Sequence, residues 1–163
     1  MAKNNVFDTV APAISSADFD DLEQAIGHPL PDAFKQHYLQ FNGGAPADTQ
    51  VPGDARWEPT EVAMFYSIKH PLPGLDLRSE ILQHFMAMRT KKVIPDYFLP
   101  FAWDPGGNFF GLDLRDGTVA YYPIDMWDST LNETQNYDKA ARTVASSFEN
   151  FLENLEPNPD ANW

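Results

Sequence analysis

The stretch from residue 99 to residue 122, LPFAWDPGGNFFGLDLRDGTVAYY, constrains the fold more than any other part of the chain. It contains two turn signals, DPGG at residues 104–107 and DG at residues 116–117, and apolar residues alternate between them. Side chains alternate between the two faces of a strand, so each turn independently assigns residues to a face. Because both turns give the same assignment, the stretch predicts a three-stranded antiparallel meander.

The two turns also predict which residues lie opposite each other. The first turn pairs Leu99 with Leu112 and Phe101 with Phe110, and the second pairs Leu114 with Val119, Leu112 with Tyr121 and Phe110 with Pro123. The face that packs against a core is predicted to carry Leu99, Phe101, Trp103, Phe110, Leu112, Leu114, Val119 and Tyr121. The opposite face is mixed, and we interpret it as partly open to a partner: Ala102, Phe109, Gly111, Asp113, Ala120 and Tyr122.

Helices are predicted on both sides of the meander, where apolar residues recur at three- and four-residue steps. The first ends at Gly27, and the second begins at Pro31 and stops at Asn42-Gly43-Gly44. A third is capped by Ser79 and closed by a basic turn at residues 89–92, and the last covers Asp138–Leu155. Together these elements predict a single α+β domain over residues 16–155, with a loose lead-in at 1–15 and a frayed tail at 156–163.

Acidic residues dominate the charge, with 24 Asp and Glu against 11 Lys and Arg, a formal net charge of −13. The second part of the chain, residues 96–163, carries 12 acids and 3 bases, a net charge of −9. Recognition of nucleic acid through its phosphates requires a basic surface, so no nucleic-acid partner is expected. A field of this sign speeds encounter with a basic protein, although an acidic surface also serves solubility alone.

The chain has no cysteine, which excludes disulfides and thiolate metal sites. No run of apolar residues approaches the roughly 20 needed to cross a bilayer, and the N-terminus lacks the apolar core of a signal peptide. We therefore expect a cytoplasmic protein that does not enter a membrane.

The sequence contains few residue patterns that indicate catalysis. None of the four histidines has a partner at metal-ligand spacing, and His37 and His84 lie beside the apolar stripes of helices, where packing explains them. Asp104, Asp113 and Asp116 fall near the predicted hairpins, but their spacing does not match a calcium loop, and they suit turns. No nucleophile elbow or phosphate-binding glycine loop is present, so we expect no enzyme activity, no metal and no cofactor.

The order of these features resembles the SUKH superfamily, which contains the yeast cell-wall-assembly regulator Smi/Knr. The resemblance is carried by Leu30-Pro31, Phe41-Asn42-Gly43-Gly44, Leu99-Pro100-Phe101-Ala102, Asp104 with Gly106-Gly107-Asn108, Leu112-Asp113-Leu114, Gly117-Thr118-Val119 and the closing Ser147-Phe148 and Phe151-Leu152. It implies an antiparallel sheet flanked by helices, and it implies turn or cap roles for Asn42, Gly43, Gly44, Gly106, Gly107, Asn108 and Gly117. Residues 45–59 and 124–137 follow no pattern of the family.

In bacteria, such a resemblance implies an immunity protein that binds and neutralises a cognate toxin, often a nuclease or deaminase, with no shared catalytic residues. The expected partner is a basic protein toxin, and the expected state is a monomer or weak dimer. The candidate contact residues are Asp113, Asp116, Asp125, Trp127 and Asp128, since tryptophan is enriched among residues that dominate binding and acids suit a nuclease site. The alternative hypothesis is an intracellular regulatory or scaffold domain, as the yeast relative suggests.

Overall fold

A computed structural model of the protein describes residues 5–124 and 127–159. The helices are α1 (Asp18–Ile26), α2 (Asp32–Gln40), α3 (Ile81–Thr90), α4 (Glu133–Ala140) and α5 (Phe148–Asn154). The strands are β1 (Phe7–Asp8), β2 (Ala45–Pro46), β3 (Gln50–Val51), β4 (Thr60–Glu61), β5 (Met64–Phe65), β6 (Phe98–Trp103), β7 (Phe109–Asp113), β8 (Val119–Tyr122) and β9 (Arg142–Ala145). These elements form the α+β fold that the sequence predicts.

The central sheet has five strands in the order β5-β6-β7-β8-β9, and every neighbouring pair is antiparallel. The meander of β6, β7 and β8 is therefore confirmed, and it lies in the middle of the sheet. Two short antiparallel pairs, β1 with β2 and β3 with β4, lie outside this sheet. Within the segment predicted as a lead-in, Phe7 of β1 is buried in the core.

The register between β6 and β7 is partly as predicted. Leu99 lies opposite Leu112, but a β-bulge follows, so that Ala102 lies opposite Phe110 and Trp103 lies opposite Phe109. The bulge adds one residue to β6, and this places Trp103 on the other face of the sheet from the one predicted. There its ring contacts Tyr66, with 4.6 Å between ring centroids.

The register between β7 and β8 differs from the prediction by two residues, because Val119 lies opposite Leu112 instead of Leu114. The N–H of Asp113 donates to the carbonyl of Thr118, and the N–H of Gly117 donates to the carbonyl of Asp113, which closes a four-residue loop. The type I′ turn that Asp-Gly favours needs positive φ at both central positions, and here Gly117 has it at 80° whereas Asp116 does not. A shift of two residues preserves the faces, so the predicted grouping of Leu112 with Val119 still holds.

Both faces of the central sheet are covered. On one face, Phe101 packs against Phe148 and Phe151 of α5, with ring centroids 5.1 and 5.4 Å apart. On the other, Phe109 packs against His84 of α3 at 4.7 Å and is 3% exposed. The interpretation of this second face as partly open is therefore wrong for its central residues, because α3 lies across it.

The predicted helix over Asp138–Leu155 is wrong as a single element. The chain completes α4 at Ala140, forms the edge strand β9 and then starts α5 at Phe148. The β-branched pair Thr143-Val144 suits a strand, and Ser147 caps α5 by accepting a hydrogen bond from the N–H of Asn150 at 3.0 Å. Apolar residues of β9 and α5 face the same core and recur at four-residue intervals. A single helix would show the same spacing, which is why the sequence pattern predicted one.

Turn residues behave largely as the sequence indicates. Gly27 ends α1 with a φ of 74°, and Gly43 and Gly44 after α2 have φ values of 75° and 100°. Asn42 is buried, and its amide accepts from the N–H of Ile68 and donates to two carbonyls, which ties α2 to the segment after β5. Ser79 is not the cap of α3; it ends a 3₁₀ turn (Leu77–Ser79), and its hydroxyl accepts from the N–H of Leu72.

The turn between β6 and β7 is organised by Asp104. Its carboxylate accepts hydrogen bonds from the N–H groups of Gly106 and Asn108 and from the hydroxyl of Tyr121, the last at 2.6 Å. Gly107 has a φ of 88°, which a glycine adopts without strain. Burial and the hydrogen bond to Asp104 raise the pKa of Tyr121 to about 12.

Candidate functional site

The candidate residue Asp113 is held by its own hairpin. Arg115 donates from its guanidinium to both carboxylate oxygens, at 3.0 and 2.7 Å, and from its backbone N–H at 2.9 Å. Burial raises the pKa of Asp113, but the hydrogen bonds from Arg115 outweigh it and the pKa lies below the ordinary value. The guanidinium also lies over the ring of Tyr97 at 3.6 Å. The negative charge of Asp113 is therefore largely compensated within the fold.

Asp116 lies at the exposed tip of the same hairpin. Its carboxylate accepts hydrogen bonds from the N–H and the hydroxyl of Thr118. In the part of the chain that the structure describes, no Lys or Arg pairs with it. Asp116 therefore keeps a net negative charge that faces solvent.

Trp127 and Asp128 lie where the chain enters α4. The Trp127 side chain is half exposed, and the edge of its ring contacts Tyr137 with 6.1 Å between centroids. Asp128 accepts from the hydroxyl and the N–H of Thr130, and these hydrogen bonds lower its pKa. Lys139 lies 4.0 Å from the Asp128 carboxylate. The fifth candidate, Asp125, lies outside the described residues.

Sequence analysis missed the groups that hold this loop. Asn136 of α4 is buried, and its amide oxygen accepts from the N–H of Asp128 while its nitrogen donates to three carbonyls. Asn132 and Gln135 form a reciprocal cap at the start of α4. The spacing Asn-x-x-Gln is a known signal for a helix start, and in this sequence it indicates the start of α4.

The hairpin and the α4 loop do not form one acidic surface. Between them lies a groove that contains Tyr97, Arg115, Glu133 and Tyr137 together with Arg89 and Lys92. Lys92 pairs with Glu133 at 3.2 Å, and its carbonyl accepts from the hydroxyl of Tyr137. The basic turn after α3 thus lies between the predicted acidic residues of the hairpin and those of the α4 loop, and Lys92 compensates the charge of Glu133.

A second groove, of about 420 Å³, lies between α2 and α5. Its rim carries the carboxylates of Asp32, Glu149 and Glu153, and its lining includes Phe41 and Leu152. Within the described ranges, none of these three carboxylates pairs with Lys or Arg. No signal in the sequence indicated this groove, because its two walls are more than 100 residues apart in the chain.

His37 lies on the wall of this groove and packs among aromatic rings, with centroids 4.7 Å from Phe7 and 5.6 Å from Phe148. Its Nε2 is enclosed and has no hydrogen-bond partner. Burial lowers the pKa of His37 to about 4, so the ring is neutral at pH 7. The predicted packing role of His37 is confirmed, and that of His84 is also confirmed by its contacts with Tyr66 and Phe109.

The described residues contain no group of three or more His, Asp or Glu side chains placed to hold a metal ion. They also contain no helix with the length and apolar character needed to span a membrane.

The chain matches the model of a known family. The model of the family described as SMI1/KNR4 (SUKH-1) matches residues 13–154, which is most of the chain and includes all five strands of the central sheet. No curated protein matches the chain significantly.

Proposed function

This chain belongs to the SMI1/KNR4 family (SUKH-1), and from that premise we propose that it is a non-enzymatic immunity protein that neutralises a basic protein toxin. The toxin class that suits it best is a nuclease, because a nuclease active site must attract phosphate and an acidic protein surface imitates that charge. Binding would occlude the active site of the toxin without any chemical step.

The observation that carries this proposal is the charge left exposed after internal pairing. Residues 96–163 contain three bases, and each has a partner inside the fold. Arg115 pairs with Asp113, Lys139 approaches Asp128, and Arg142 lies over the rings of Trp57 and Tyr121 at 5.1 and 5.2 Å. Among the described residues of this part of the chain, five exposed acids have no Lys or Arg partner and are available to a basic protein: Asp116, Asp138, Glu149, Glu153 and Glu156.

The experiment is an affinity pull-down of the tagged protein from its native cell extract at low and high salt, followed by an activity assay of the captured protein. We expect one basic protein whose capture weakens with salt and whose nuclease or deaminase activity falls to background at equimolar addition. A toxin gene immediately upstream would identify the partner independently. Capture of a partner whose activity is unchanged by binding would contradict neutralisation.

The alternative is a regulatory or scaffold domain that binds signalling or cell-envelope enzymes. Membership of the same family supports this alternative, because the family contains the yeast cell-wall-assembly regulator that the sequence resembles. In that case the captured proteins would be such enzymes, and an isolated gene locus would accompany them.

A further inference from the structure

We propose that the groove between α2 and α5 docks a short, basic, amphipathic segment of a protein partner. This inference rests on the proposed binding function and adds to it a specific face and a partner chemistry. It also differs from the placement that the sequence suggested at Asp113, Asp116, Asp125, Trp127 and Asp128.

The walls of the groove are two helical faces. Asp32, Gln36 and Gln40 recur every four residues on α2, and Glu149 and Glu153 are four residues apart on α5. The two helices are joined beneath by Phe34 and Phe148, whose ring centroids are 4.9 Å apart. This packing holds the polar walls at a set separation, so the groove exists before a partner arrives.

The base of the groove is apolar. Its lining includes Phe7, Phe41 and Leu152, and the rings of Phe7 and Phe41 stack at 5.3 Å. Phe41 and Leu152 are partly exposed here, although both pack against the core. An occupant can therefore bury apolar side chains against these residues, which a purely electrostatic contact would not require.

The charge of the α2–α5 groove indicates that the segment it binds is basic. Asp32, Glu149 and Glu153 are exposed, and among the described residues neither a Lys nor an Arg lines this groove. The groove beside Trp127 contains Lys91 and Lys92, and the groove beside Tyr97 contains Arg89, Lys92 and Arg115. In the Tyr97 groove these bases are matched in number by Asp96, Glu133 and Asp138, so the α2–α5 groove is the one of the three whose lining carries a net negative charge, and it attracts a basic partner.

The length of the groove limits the segment that fits. From Asp32 to Gln40, helix α2 rises about 12 Å, which accommodates about two turns of a partner helix. We therefore expect the partner to contribute one or two apolar residues to the base, with Lys or Arg on both sides that reach the carboxylates.

The test uses a fluorescent peptide of leucine and arginine, about ten residues long with helical amphipathic spacing. Binding is measured by anisotropy, and the contact face is mapped by amide chemical shifts. The groove variant is Asp32→Asn/Glu149→Gln/Glu153→Gln. The matched control, Asp20→Asn/Asp21→Asn/Glu58→Gln, removes the same charge from exposed positions on α1 and the loop before β4. An arginine–glycine peptide of equal charge tests the apolar base.

We expect amide shifts confined to the lining of the groove, which is α2, α5 and the base residues Phe7 and Phe41, an affinity loss of about tenfold in the groove variant, and a loss below about twofold in the control. The arginine–glycine peptide should bind more weakly than the leucine–arginine peptide. Equal losses in both variants, equal binding of both peptides, or shifts on another face would overturn the proposal. Self-association of the chain that the groove variant abolishes would also overturn it, because the groove would then be an interface between copies.

The two proposals fail in different ways. If the control variant loses neutralisation of the captured toxin while the groove variant keeps it, the groove is wrong and the immunity function stands. If the wild-type chain does not neutralise the captured partner, the immunity function fails whether or not the groove binds the peptide.

Discussion

The guanidinium of Arg115 donates hydrogen bonds to both carboxylate oxygens of Asp113, two residues earlier in the same hairpin, at 3.0 and 2.7 Å. The Asp113 side chain is 15% exposed, whereas that of Arg115 is 58% exposed and lies over Tyr97. The pair therefore fixes the conformation of the hairpin and removes one charge from the surface that a partner would meet.

We predict that Asp113→Asn lowers the free energy of unfolding by about 1 kcal/mol, because solvent screens the ion pair and only part of its hydrogen bonding is lost. Urea denaturation at neutral pH measures this change. Asp96→Asn is the control, since Asp96 is largely exposed and lies 3.9 Å from Arg89. A change as large in Asp96→Asn would show that general charge, and not the local pair, determines the effect.

His37→Phe is predicted to stabilise the protein. The substitution removes a buried nitrogen with no hydrogen-bond partner, and we expect a gain of about 1 kcal/mol at pH 7. The surrounding aromatic rings of Phe7, Phe41 and Phe148 favour another aromatic side chain at this position. Thermal unfolding measures the gain, and a lower melting temperature would indicate that the larger ring does not fit.

The same residue should make stability depend on pH. Imidazole titrates near 6.5 in an unfolded chain, and burial lowers the pKa of His37 to about 4 in the fold. Below pH 6.5 the unfolded chain binds a proton that the folded chain does not, so stability is lost as the pH falls from 6.5 toward 4. We expect His37→Phe to reduce this slope in urea titrations, and part of the slope to remain because burial also lowers the pKa of His84 to about 4.

Gly111→Ala should destabilise the central sheet by about 2 kcal/mol or more, because an added Cβ would lie 2.5 Å from the Phe98 ring and 2.7 Å from the carbonyl of Leu99. Gly106→Ala is the matched control, since its Cβ would meet nothing closer than 3.4 Å. Equal losses in the two variants would contradict the packing of Phe98 over Gly111.

Ser147→Ala distinguishes the observed C-terminal region from the single helix that periodicity predicts. If Ser147 caps α5, its replacement by alanine should lower the free energy of unfolding by about 1 kcal/mol. Inside a continuous helix, the same substitution would stabilise the chain, because alanine is the better helix former. Ser146→Ala is the control, because the Ser146 side chain makes no hydrogen bond to the described residues. The sign of the change in unfolding free energy decides between the two structures.

Features that depend on local sequence signals were predicted correctly, whereas features that depend on contacts between distant parts of the chain were not. Leu99 opposite Leu112, the stop at Gly43-Gly44 and the packing of His37 and His84 depend on alternation, glycine conformation and helical spacing, and all were predicted correctly. Trp103 was placed on the wrong face because a bulge in β6 inserts one residue, which no turn signal announces. The helix over 138–155 failed because β9 gains its hydrogen bonds from β8, more than 20 residues earlier.

The sequence by itself determined the meander, the glycine turns, the acidic excess and the resemblance to the family, because each of these depends on local conformation, composition or the order of short motifs. Only the tertiary structure decided which acidic side chains have no basic partner among the described residues. Asp113 and Asp128 approach bases close to them in the chain, whereas Asp32, Glu149 and Glu153 meet across two helices whose packing is set by Phe34 and Phe148. Charge can be counted along a chain, but its compensation depends on distances that only the folded core establishes.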